Sequence, residues 1–436
     1  MSTGPATASV AVETKTIQKL RIRILPFVLL LFVVALIDRN NVSFAALTMN
    51  QELGITSQQF GLMFGIFYFG YFIFEIPSNL LLHKVGARVW IARILISWGI
   101  VATLSGIVRS AHQLYIVRFL LGLAEAGYFP GIVLYLTYWF PRREQARAFA
   151  LFIMATPVTI ILGAPISGFI LDHIRWLGFS SWRWLLILEG LPAVILGGLT
   201  YFLLPSRPDA VQFLTAHEKE CLKAELNHEE QQKLGEGHYS VIQALASRRV
   251  WHLVLVYFGM MVGLHTLTSW APQLVKSLST VYSNSVIGLL LIMPSATGLA
   301  AMICVSHSSD RKLERRFHVA LPALVAATAL ALLGTAPSPV VSMALLCLLA
   351  SGVYSYLAPF WALPNEFLTG YSAAAGIALI NSVGNLGGLV GPTAVGFFAH
   401  RLGKLTSGLA FAAIPLLLAA VLVLLLPKKI AVLAKS

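Results

Sequence analysis

The feature that most constrains this chain is a series of long apolar runs that recurs along its whole length. An α-helix needs about 20 such residues to cross the hydrocarbon core of a bilayer, which is about 30 Å thick. Because 57% of the residues are hydrophobic and 11% are charged, a water-soluble fold could not cover the apolar surface. The sequence therefore predicts an all-α membrane protein. Its twelve predicted spans, numbered in chain order, cover residues 24–47, 58–82, 89–109, 112–140, 147–172, 182–204, 250–274, 283–306, 317–336, 339–364, 372–400 and 406–427.

The net charge of +13 would suit a nucleic-acid partner, but the basic residues lie in short loops between apolar runs. Nucleic acid is therefore not expected. The three cysteines, Cys221, Cys304 and Cys347, are scattered, so neither a disulfide framework nor a metal site is predicted. No cofactor motif is present in the sequence.

Most of the 31 Lys and Arg residues fall at one set of span ends, which is the distribution typical of cytoplasmic loops. Both termini are therefore predicted to be cytoplasmic. A polar stretch splits the spans six and six, and residues 215–234 within it have a helical composition with charges expected to face water. The predicted domains are a disordered cytoplasmic tail (1–19), a six-helix bundle (20–204), a cytoplasmic linker with an amphipathic helix (205–249), a second six-helix bundle (250–427) and a cytoplasmic tail (428–436).

Several signals recur at a nearly constant separation. Span 4 ends at Pro141 after two aromatic residues, and span 10 ends at Pro364 after Trp361. Span 5 holds a Gly-Ala-Pro sequence, and span 11 holds Gly-Pro at the matching place. The recurrence predicts two related six-span halves, and transporters built this way bind their substrate between the halves near the middle of the membrane.

Two charged residues and two polar residues interrupt the first span, where Asp38, Arg39, Asn40 and Asn41 follow one another. A charge at this depth costs at least a few kcal/mol, so it persists when it faces a water-filled cavity or a partner. The alternative is a structural ion pair between neighbouring helices.

With these motifs, the chain resembles a major facilitator superfamily transporter and, within that superfamily, the anion:cation symporter family. The similarity covers residues 20–427. It is carried by residues 38–42 in span 1, residues 75–79 in span 2, residues 118–131 in span 4, and residues 138–141, 189–192 and 359–364. The resemblance implies a twelve-helix fold of two pseudo-symmetric bundles in the cell membrane. It also implies a protein that is not an enzyme and that imports organic anions, such as sugar acids, tartrate or aromatic carboxylates, together with protons. A monomer is the default.

The sequence departs from the family in two places. The loop after span 2 is similar to the superfamily's Gly-x-x-x-Asp-Arg-x-Gly-x-Arg signature, but Asn79 and His83 occupy the Gly and Asp positions. Leu36 stands where relatives commonly carry Tyr. The resemblance still implies a gating role for the loops after spans 2 and 8, with the residues His83, Gly86, Arg88, Asp310 and Arg311.

An anion symporter needs fixed positive charge for its substrate, and arginine binds carboxylates through a planar fork. Arg39 lies about 22 Å along span 1 and Arg118 about 9 Å along span 4, which runs in the opposite direction, so both fall in one layer of the membrane. From depth alone, Arg118 could equally snorkel to the interface. The resemblance places it in the central cavity.

The symporter also needs a carboxyl group that can take a proton. Glu125 follows Arg118 by two helical turns on the same face. Burial favours its neutral form and a nearby arginine opposes this, so arrival of an anion could release the carboxyl group for protonation. The resemblance implies that Asp38 and Glu125 are the proton-coupling pair. Either could instead serve as a counter-ion.

Specificity is assigned to four polar residues in the spans. The resemblance implies substrate contacts for Tyr71 and Asn385, with Asn381 on the same helix face. His265 shares the depth of Arg39 and could donate a hydrogen bond, although a packing role is the alternative.

Other buried polar or aromatic residues are expected to have structural roles. Glu75 is expected to act in gating or packing near Pro77, and Glu189 to be structural beside Arg183. Trp139 and Trp361 are expected to anchor helix ends at the interface.

Two other functions remain open. One is a drug or metabolite exporter of the same superfamily, which the two arginines disfavour for cationic substrates. The other is a non-transporting membrane sensor or intramembrane enzyme, for which the sequence contains no catalytic motif.

Overall fold

The computed structural model describes residues 15–235, 246–367 and 370–426, and these residues contain helices and no strands. The spans keep their numbers. Spans 1 to 6 are Lys15–Glu52, Ser57–Val85, Ala87–Leu104, Ala111–Glu125 with Tyr128–Thr137, Arg142–His173 and Ser181–Leu203. Spans 7 to 12 are Arg248–Ser277, Asn284–Leu290 with Ile292–Lys312, Arg316–Leu332, Pro339–Ser355 with Leu357–Phe367, Gly370–Asn385 with Gly387–Leu402, and Leu405–Leu424. Apart from the start of span 1, the ends of these helices lie within about six residues of the predicted span ends.

Eleven helical segments of the described chain are long and apolar enough to cross a membrane by themselves. The predicted span 11 is not among the eleven. It consists instead of two consecutive 16-residue helices, separated at Leu386. Counted as one element, this pair completes the predicted twelve-helix architecture.

Spans 2, 4, 8 and 10 begin with a hydroxyl cap. Spans 8 and 10 occupy the same places in the second half as spans 2 and 4 in the first, so the caps recur at equivalent positions. Thr56 and Gln59 form a reciprocal capping box at span 2, with nitrogen–oxygen distances of 2.9 and 3.2 Å. The hydroxyl groups of Ser110, Ser283 and Ser338 accept from the backbone of the first turn in the other three spans. These caps satisfy donors that a helix end otherwise leaves free.

We call the side of the bundle that carries the linker helix the linker face, and the opposite side the far face. The helix of the linker is Ala216–Gly235, which confirms the predicted helix at 215–234. One of its charges does not face water as expected, because Glu218 is 7% exposed and accepts from Lys19 at 2.8 Å. Burial raises the pKa of Glu218, but the hydrogen bonds from Lys19 and the Thr215 backbone outweigh this and lower it.

The helix of span 1 begins before the predicted start of the membrane run. Residues 15–19 were expected in a disordered tail, yet they are helical, and Ile17 and Leu20 are buried. Residues 1–14 and the tail 428–436 lie outside the described residues. The early start brings Lys19 to the linker helix and Arg21 to Glu144 at the beginning of span 5.

The two halves touch at the far face through helix backbones. A Cβ atom on Gly61 of span 2 would lie 2.3 Å from the carbonyl oxygen of Pro392 in span 11. A Cβ atom on Gly288 of span 8 would lie equally close, at 2.3 Å, to the carbonyl oxygen of Ala164 in span 5. Small residues allow helices in lipid to approach this closely.

A carboxylate also joins the halves at the far face. Asp172 at the end of span 5 accepts from the backbone nitrogen atoms of Asn284 and Ser285 at 3.2 and 2.7 Å, and from the Asn284 amide at 2.7 Å. Span 5 thus caps the first turn of span 8, where the helix dipole favours a negative charge. The far face is closed by this cap together with the glycine contacts.

Replacing Gly288 with leucine is expected to open this contact, because even a Cβ atom there overlaps the Ala164 carbonyl group. Amide hydrogen exchange of residues 284–290, measured by mass spectrometry on purified protein, should rise by about tenfold or more as the capped turn loosens. Gly198→Leu in span 6 is the matched control, since a Cβ atom at Gly198 meets nothing within 4 Å. Equal protection in the two variants would contradict the expected contact.

Candidate functional site

A central cavity of about 140 Å³ lies between the two halves. Its walls come from spans 1, 2, 4 and 5 of the first half and from spans 7, 10 and 11 of the second. Most lining residues lie near the middle of their spans or closer to the linker face, whereas Thr268 of span 7 lies closer to the far face. The polar members of the lining are Arg39, Asn40, Tyr68, Tyr71, Thr156, Tyr257, His265, Thr268, Trp361, Asn381 and Asn385. An interior chamber is therefore present where the repeat predicts it.

Arg39 and Glu125 form an ion pair at the wall of the cavity. Both Nε and Nη2 of Arg39 donate to Oε1 of Glu125, with an Nε–Oε1 distance of 3.0 Å. The Arg39 side chain is 20% exposed and the Glu125 side chain 1% exposed. Oε2 of Glu125 has no hydrogen-bond partner among the described residues. The cation thus faces the cavity, and the carboxylate lies behind it.

The position of Glu125 depends on a break in span 4. The first helix of the span ends at Glu125, and Gly127 takes a left-handed conformation with a φ of 83° before the second helix begins. Ser78 of span 2 donates to the Ala126 carbonyl oxygen that the break exposes, at 2.6 Å. A Cβ atom on Gly127 would lie 2.2 Å from the Ser78 hydroxyl oxygen, so the position requires glycine.

Asp38 points away from the cavity, although its neighbour Arg39 lines it. Its Oδ1 atom accepts from Asn41 at 2.8 Å, and its Oδ2 atom accepts from the indole nitrogen of Trp98 in span 3. Asp38 is 1% exposed. Both carboxylate oxygens are therefore satisfied inside the first half.

Arg118 is buried and is not among the residues that line the cavity. Its guanidinium group lies 5.0 Å from the ring centre of Phe67 and 5.7 Å from that of Phe64. Arg39 lies 5.4 Å from the same Phe67 ring, so the two arginines occupy one layer, as their depths indicated. Nε and Nη2 of Arg118 have no hydrogen-bond partner in the described part of the chain. The guanidinium group makes cation–π contacts with Phe64 and Phe67.

His265 and the tyrosines of span 2 form the wall next to Arg39. The Tyr68 hydroxyl group lies 2.8 Å from Nδ1 of His265, which joins the two halves. Tyr71 is 5% exposed, and its ring lies 5.8 Å from the Arg39 guanidinium carbon. Tyr68 is not among the residues predicted from the sequence, although Tyr68 lies three residues before Tyr71 and therefore on the same helix face.

Asn381 and Asn385 of span 11 both line the cavity and are bonded to each other. Nδ2 of Asn385 donates to Oδ1 of Asn381 at 3.2 Å, and Nδ2 of Asn381 donates to Oε1 of Glu75 at 2.9 Å. This contact is compatible with the gating or packing role expected for Glu75. Glu75 bridges the two halves while being 2% exposed.

The expectation that two tryptophans anchor helix ends at the membrane interface is wrong. Trp361 lines the cavity and packs on Tyr257 at a ring distance of 5.0 Å. Trp139 is fully buried beside Tyr135. The pairing of Glu189 with Arg183 also does not occur, because Glu189 accepts from Ser167 while Arg183 binds Glu52. Position along a helix indicates depth, but it does not indicate which way a side chain points.

The residues with an expected gating role make contacts within their own halves. Arg88 donates to the Tyr201 carbonyl oxygen at 2.6 Å, and Gly86 ends span 2 with a φ of 95°. Asp310 pairs with Arg315 at 2.5 Å rather than with Arg311, which is exposed. The side chain of His83 lies outside the described residues.

The described residues contain no cluster of three or more His, Cys, Asp or Glu side chains that could hold a metal ion. Within these parts of the chain, the cavity is lined by one arginine, amides and aromatic hydroxyl groups, and a second arginine and carboxyl groups lie behind the lining. Such a set can bind an anion and move a proton.

Comparisons with known proteins agree with this arrangement. A sequence profile of the Major Facilitator Superfamily matches residues 28–392. A protein of Agrobacterium vitis, named provisionally as a tartrate transporter, is 45% identical over 416 residues, which is 95% of this chain and 92% of that protein. A quinolone resistance transporter of Acinetobacter baumannii is 38% identical over 410 residues, covering 94% of each chain.

A solved structure supports the fold. The xylose transporter XylE from E. coli, in a partially occluded inward open conformation, superposes with a TM-score of 0.73 at 15% identity, covering 94% of this chain and 98% of that one. At this identity the likeness concerns the fold alone. It confirms the predicted architecture of two pseudo-symmetric six-helix bundles.

Replacing Trp98 with phenylalanine should destabilise the protein, because a buried Asp38 oxygen loses its donor at a cost of about 1–3 kcal/mol. The expected result is a lower midpoint for loss of the monodisperse peak after heating, measured by size-exclusion chromatography. Trp176→Phe is the matched control, since Trp176 is 54% exposed and engages its neighbour Trp184 through a backbone carbonyl group. Equal midpoints for the two variants would show that the indole bond to Asp38 contributes nothing.

Proposed function

Because the chain belongs to the Major Facilitator Superfamily, we propose that it is a proton-coupled secondary active transporter that imports a small organic anion of the tartrate type by alternating access. The membership makes it a multi-pass membrane transporter. Support for the anion comes from two Agrobacterium vitis relatives provisionally named as tartrate transporters, at 45% and 44% identity. Support for the proton coupling comes from the charges at the cavity.

The observation that carries the proposal is the unequal exposure of the Arg39–Glu125 pair. A carboxylate that enters the cavity can reach the guanidinium group of Arg39 but not the carboxyl group of Glu125. Arginine offers five donors in a fixed fork, so it can bind an incoming carboxylate in place of Glu125. Substrate and Glu125 therefore compete for one cation.

The competition couples substrate to proton. Once Arg39 turns to the substrate, Glu125 is a buried carboxylate that has lost its counter-ion, and burial favours the neutral form of such a group. A proton taken up by Glu125 removes this cost. Asp38 is the second proposed proton site. Its carboxylate accepts hydrogen bonds from Trp98 and Asn41 on the other side of span 1. Arg118 supplies further positive potential from behind Phe67.

The remaining substrate contacts come from both halves. Tyr71, His265, Asn381 and Asn385 line the cavity and can donate to or accept from polar groups of the anion. We place the linker face in the cytoplasm because the basic residues concentrate there, and the protein in the cell membrane. With the far face closed, this arrangement corresponds to a state from which substrate leaves toward the cytoplasm. A single chain contains the whole cavity, so a monomer suffices.

An exporter is the second candidate function, and the quinolone resistance transporter at 38% identity favours it. The two functions share the arginine-containing cavity and differ in the direction of net transport relative to the proton gradient. The same reconstituted system distinguishes them.

Purified protein in proteoliposomes should accumulate radiolabelled tartrate when the outside is acidic and the inside alkaline. Accumulation is expected because each anion enters with a proton that moves down its gradient. A protonophore should reduce uptake to equilibration of the label. Uptake that does not respond to the protonophore would exclude symport, and accumulation only with the opposite gradient would favour the exporter.

Glu125→Gln should separate exchange from coupling. The amide keeps the shape of the neutral carboxyl group but cannot carry a proton between the two sides. The variant should exchange labelled for unlabelled tartrate and lose accumulation driven by the gradient. Glu189→Gln is the matched control, because Glu189 is a buried carboxyl group of the same half that does not line the cavity and bonds to Ser167. Gradient-driven accumulation by Glu125→Gln at the wild-type level would rule out Glu125 as the coupling group.

A further inference from the structure

Glu75 joins the two halves behind the cavity wall. Its Oε1 atom accepts from Nδ2 of Asn381 at 2.9 Å, and its Oε2 atom accepts from the Ser382 hydroxyl group at 2.5 Å. The residue lies in span 2, whereas both donors belong to span 11. Glu75 is 2% exposed and does not line the cavity. It therefore does not contact a ligand in the cavity directly, and it shapes the cavity wall through the residues that it holds.

These hydrogen bonds fix the orientation of an amide. An asparagine side chain has a donor end and an acceptor end of nearly the same shape, so its environment decides which end faces which neighbour. A carboxylate provides only acceptors. The donor end of Asn381 must therefore face Glu75, and its oxygen faces the other way.

The orientation of the Asn381 amide also fixes that of Asn385, which lies about one helical turn later. The free oxygen of Asn381 accepts from Nδ2 of Asn385 at 3.2 Å. The nitrogen of Asn385 is thereby turned toward Asn381, and its carbonyl oxygen lies on the side of His265, at the wall of the cavity that both residues line. The carboxylate of Glu75 thus determines that Asn385 presents a hydrogen-bond acceptor at the cavity wall.

An acceptor at this place selects for a hydroxyl group. Arg39 provides the donors that a carboxylate needs, on the other half of the cavity wall. A ligand that satisfies both walls carries a carboxylate at one point and a hydroxyl donor at another. A site built to bond a substrate hydroxyl group discriminates against the analogue that lacks it, because its own polar group is then left unpaired.

We propose that Glu75 is a positioning residue for hydroxyl recognition: through Asn381 it aims the carbonyl oxygen of Asn385 at a hydroxyl group of a hydroxycarboxylate substrate. The proposal rests on the proposed transport of tartrate-type anions. It assigns the carboxyl group of Glu75 to substrate choice rather than to proton transfer.

The test compares three four-carbon diacids of equal charge, which are tartrate, malate and succinate, with two, one and no hydroxyl groups. The quantity measured is the ratio of the succinate and tartrate concentrations that halve uptake of labelled tartrate in proteoliposomes. The wild-type ratio should be high, with malate in between. In Glu75→Met, which offers neither Asn381 nor Ser382 an acceptor, the ratio should fall by about tenfold, the loss of about one hydrogen bond, with KM raised and kcat nearly unchanged.

A double variant tests the hydrogen-bond chain itself. In Glu75→Gln combined with Asn381→Asp, the new aspartate accepts from Asn385 and from the glutamine nitrogen, and the glutamine oxygen accepts from Ser382. Every bond of the chain is then restored with the carboxylate moved across the interface. The ratio should recover to near its wild-type value. Glu189→Gln, a buried carboxyl group away from the cavity, should leave the ratio unchanged.

The outcomes separate the proposals. An unchanged ratio in Glu75→Met, or no recovery in the double variant, would overturn the positioning role. If Glu75→Met does not yield monodisperse protein, Asn381→Ala breaks the same chain while keeping the bond between Glu75 and Ser382, and it should lower the ratio equally. A wild-type protein that neither takes up nor is thermally stabilised by any of the three acids would refute the proposed function itself. Equal inhibition of the wild type by all three would refute only hydroxyl recognition.

Discussion

The ion pair between Arg39 and Glu125 is the interaction on which the rest of the structure depends. Two opposite charges in the middle of a bilayer are costly unless each has a partner, and removing one partner leaves an uncompensated buried charge. The fold meets this requirement by breaking span 4 directly after Glu125 and stabilising the break with the Ser78 hydroxyl group. The backbone around the carboxylate is therefore held in place, while the arginine faces the cavity. A competitor for that arginine changes the charge balance of the whole core.

Two of the other buried carboxyl groups, Asp38 and Glu75, differ from Glu125 in how completely they are satisfied. Glu189 also keeps one oxygen without a partner among the described residues, but it does not line the cavity. Asp38 accepts on both oxygens from donors within the first half, and Glu75 accepts on both oxygens from donors of the second half. Glu125 keeps one oxygen without a hydrogen-bond partner among the described residues. A carboxyl group with an unused oxygen can take a proton without first losing a bond. This difference supports Glu125, rather than Asp38 or Glu75, as the proposed proton acceptor.

The sequence was sufficient for the architecture but not for side-chain direction. Apolar run length, basic loop ends and recurring motifs predicted the spans, because each depends on local composition. Depth along a helix also placed Arg39 and Arg118 in one layer, where both lie near Phe67. The facing direction of Trp361 and Asp38 could not be predicted, since these spans are apolar on all sides and show no hydrophobic face. The bond between Glu75 and Asn381 joins residues far apart in the chain, and nothing in either local sequence indicates it.

The contacts between the halves differ in their access to water, and this decides which of them can break during transport. At the far face, Asp172 caps the backbone of Asn284 and Ser285 at the end of a helix, where water can replace the carboxylate when the halves separate. Between Glu75 and span 11 the donors and acceptors are buried in the core, so separation would leave them unsatisfied at a high cost. Under the proposed alternating access, the far-face cap is therefore suited to open and close. The buried bridge is suited to stay formed and would serve as a pivot between the two halves.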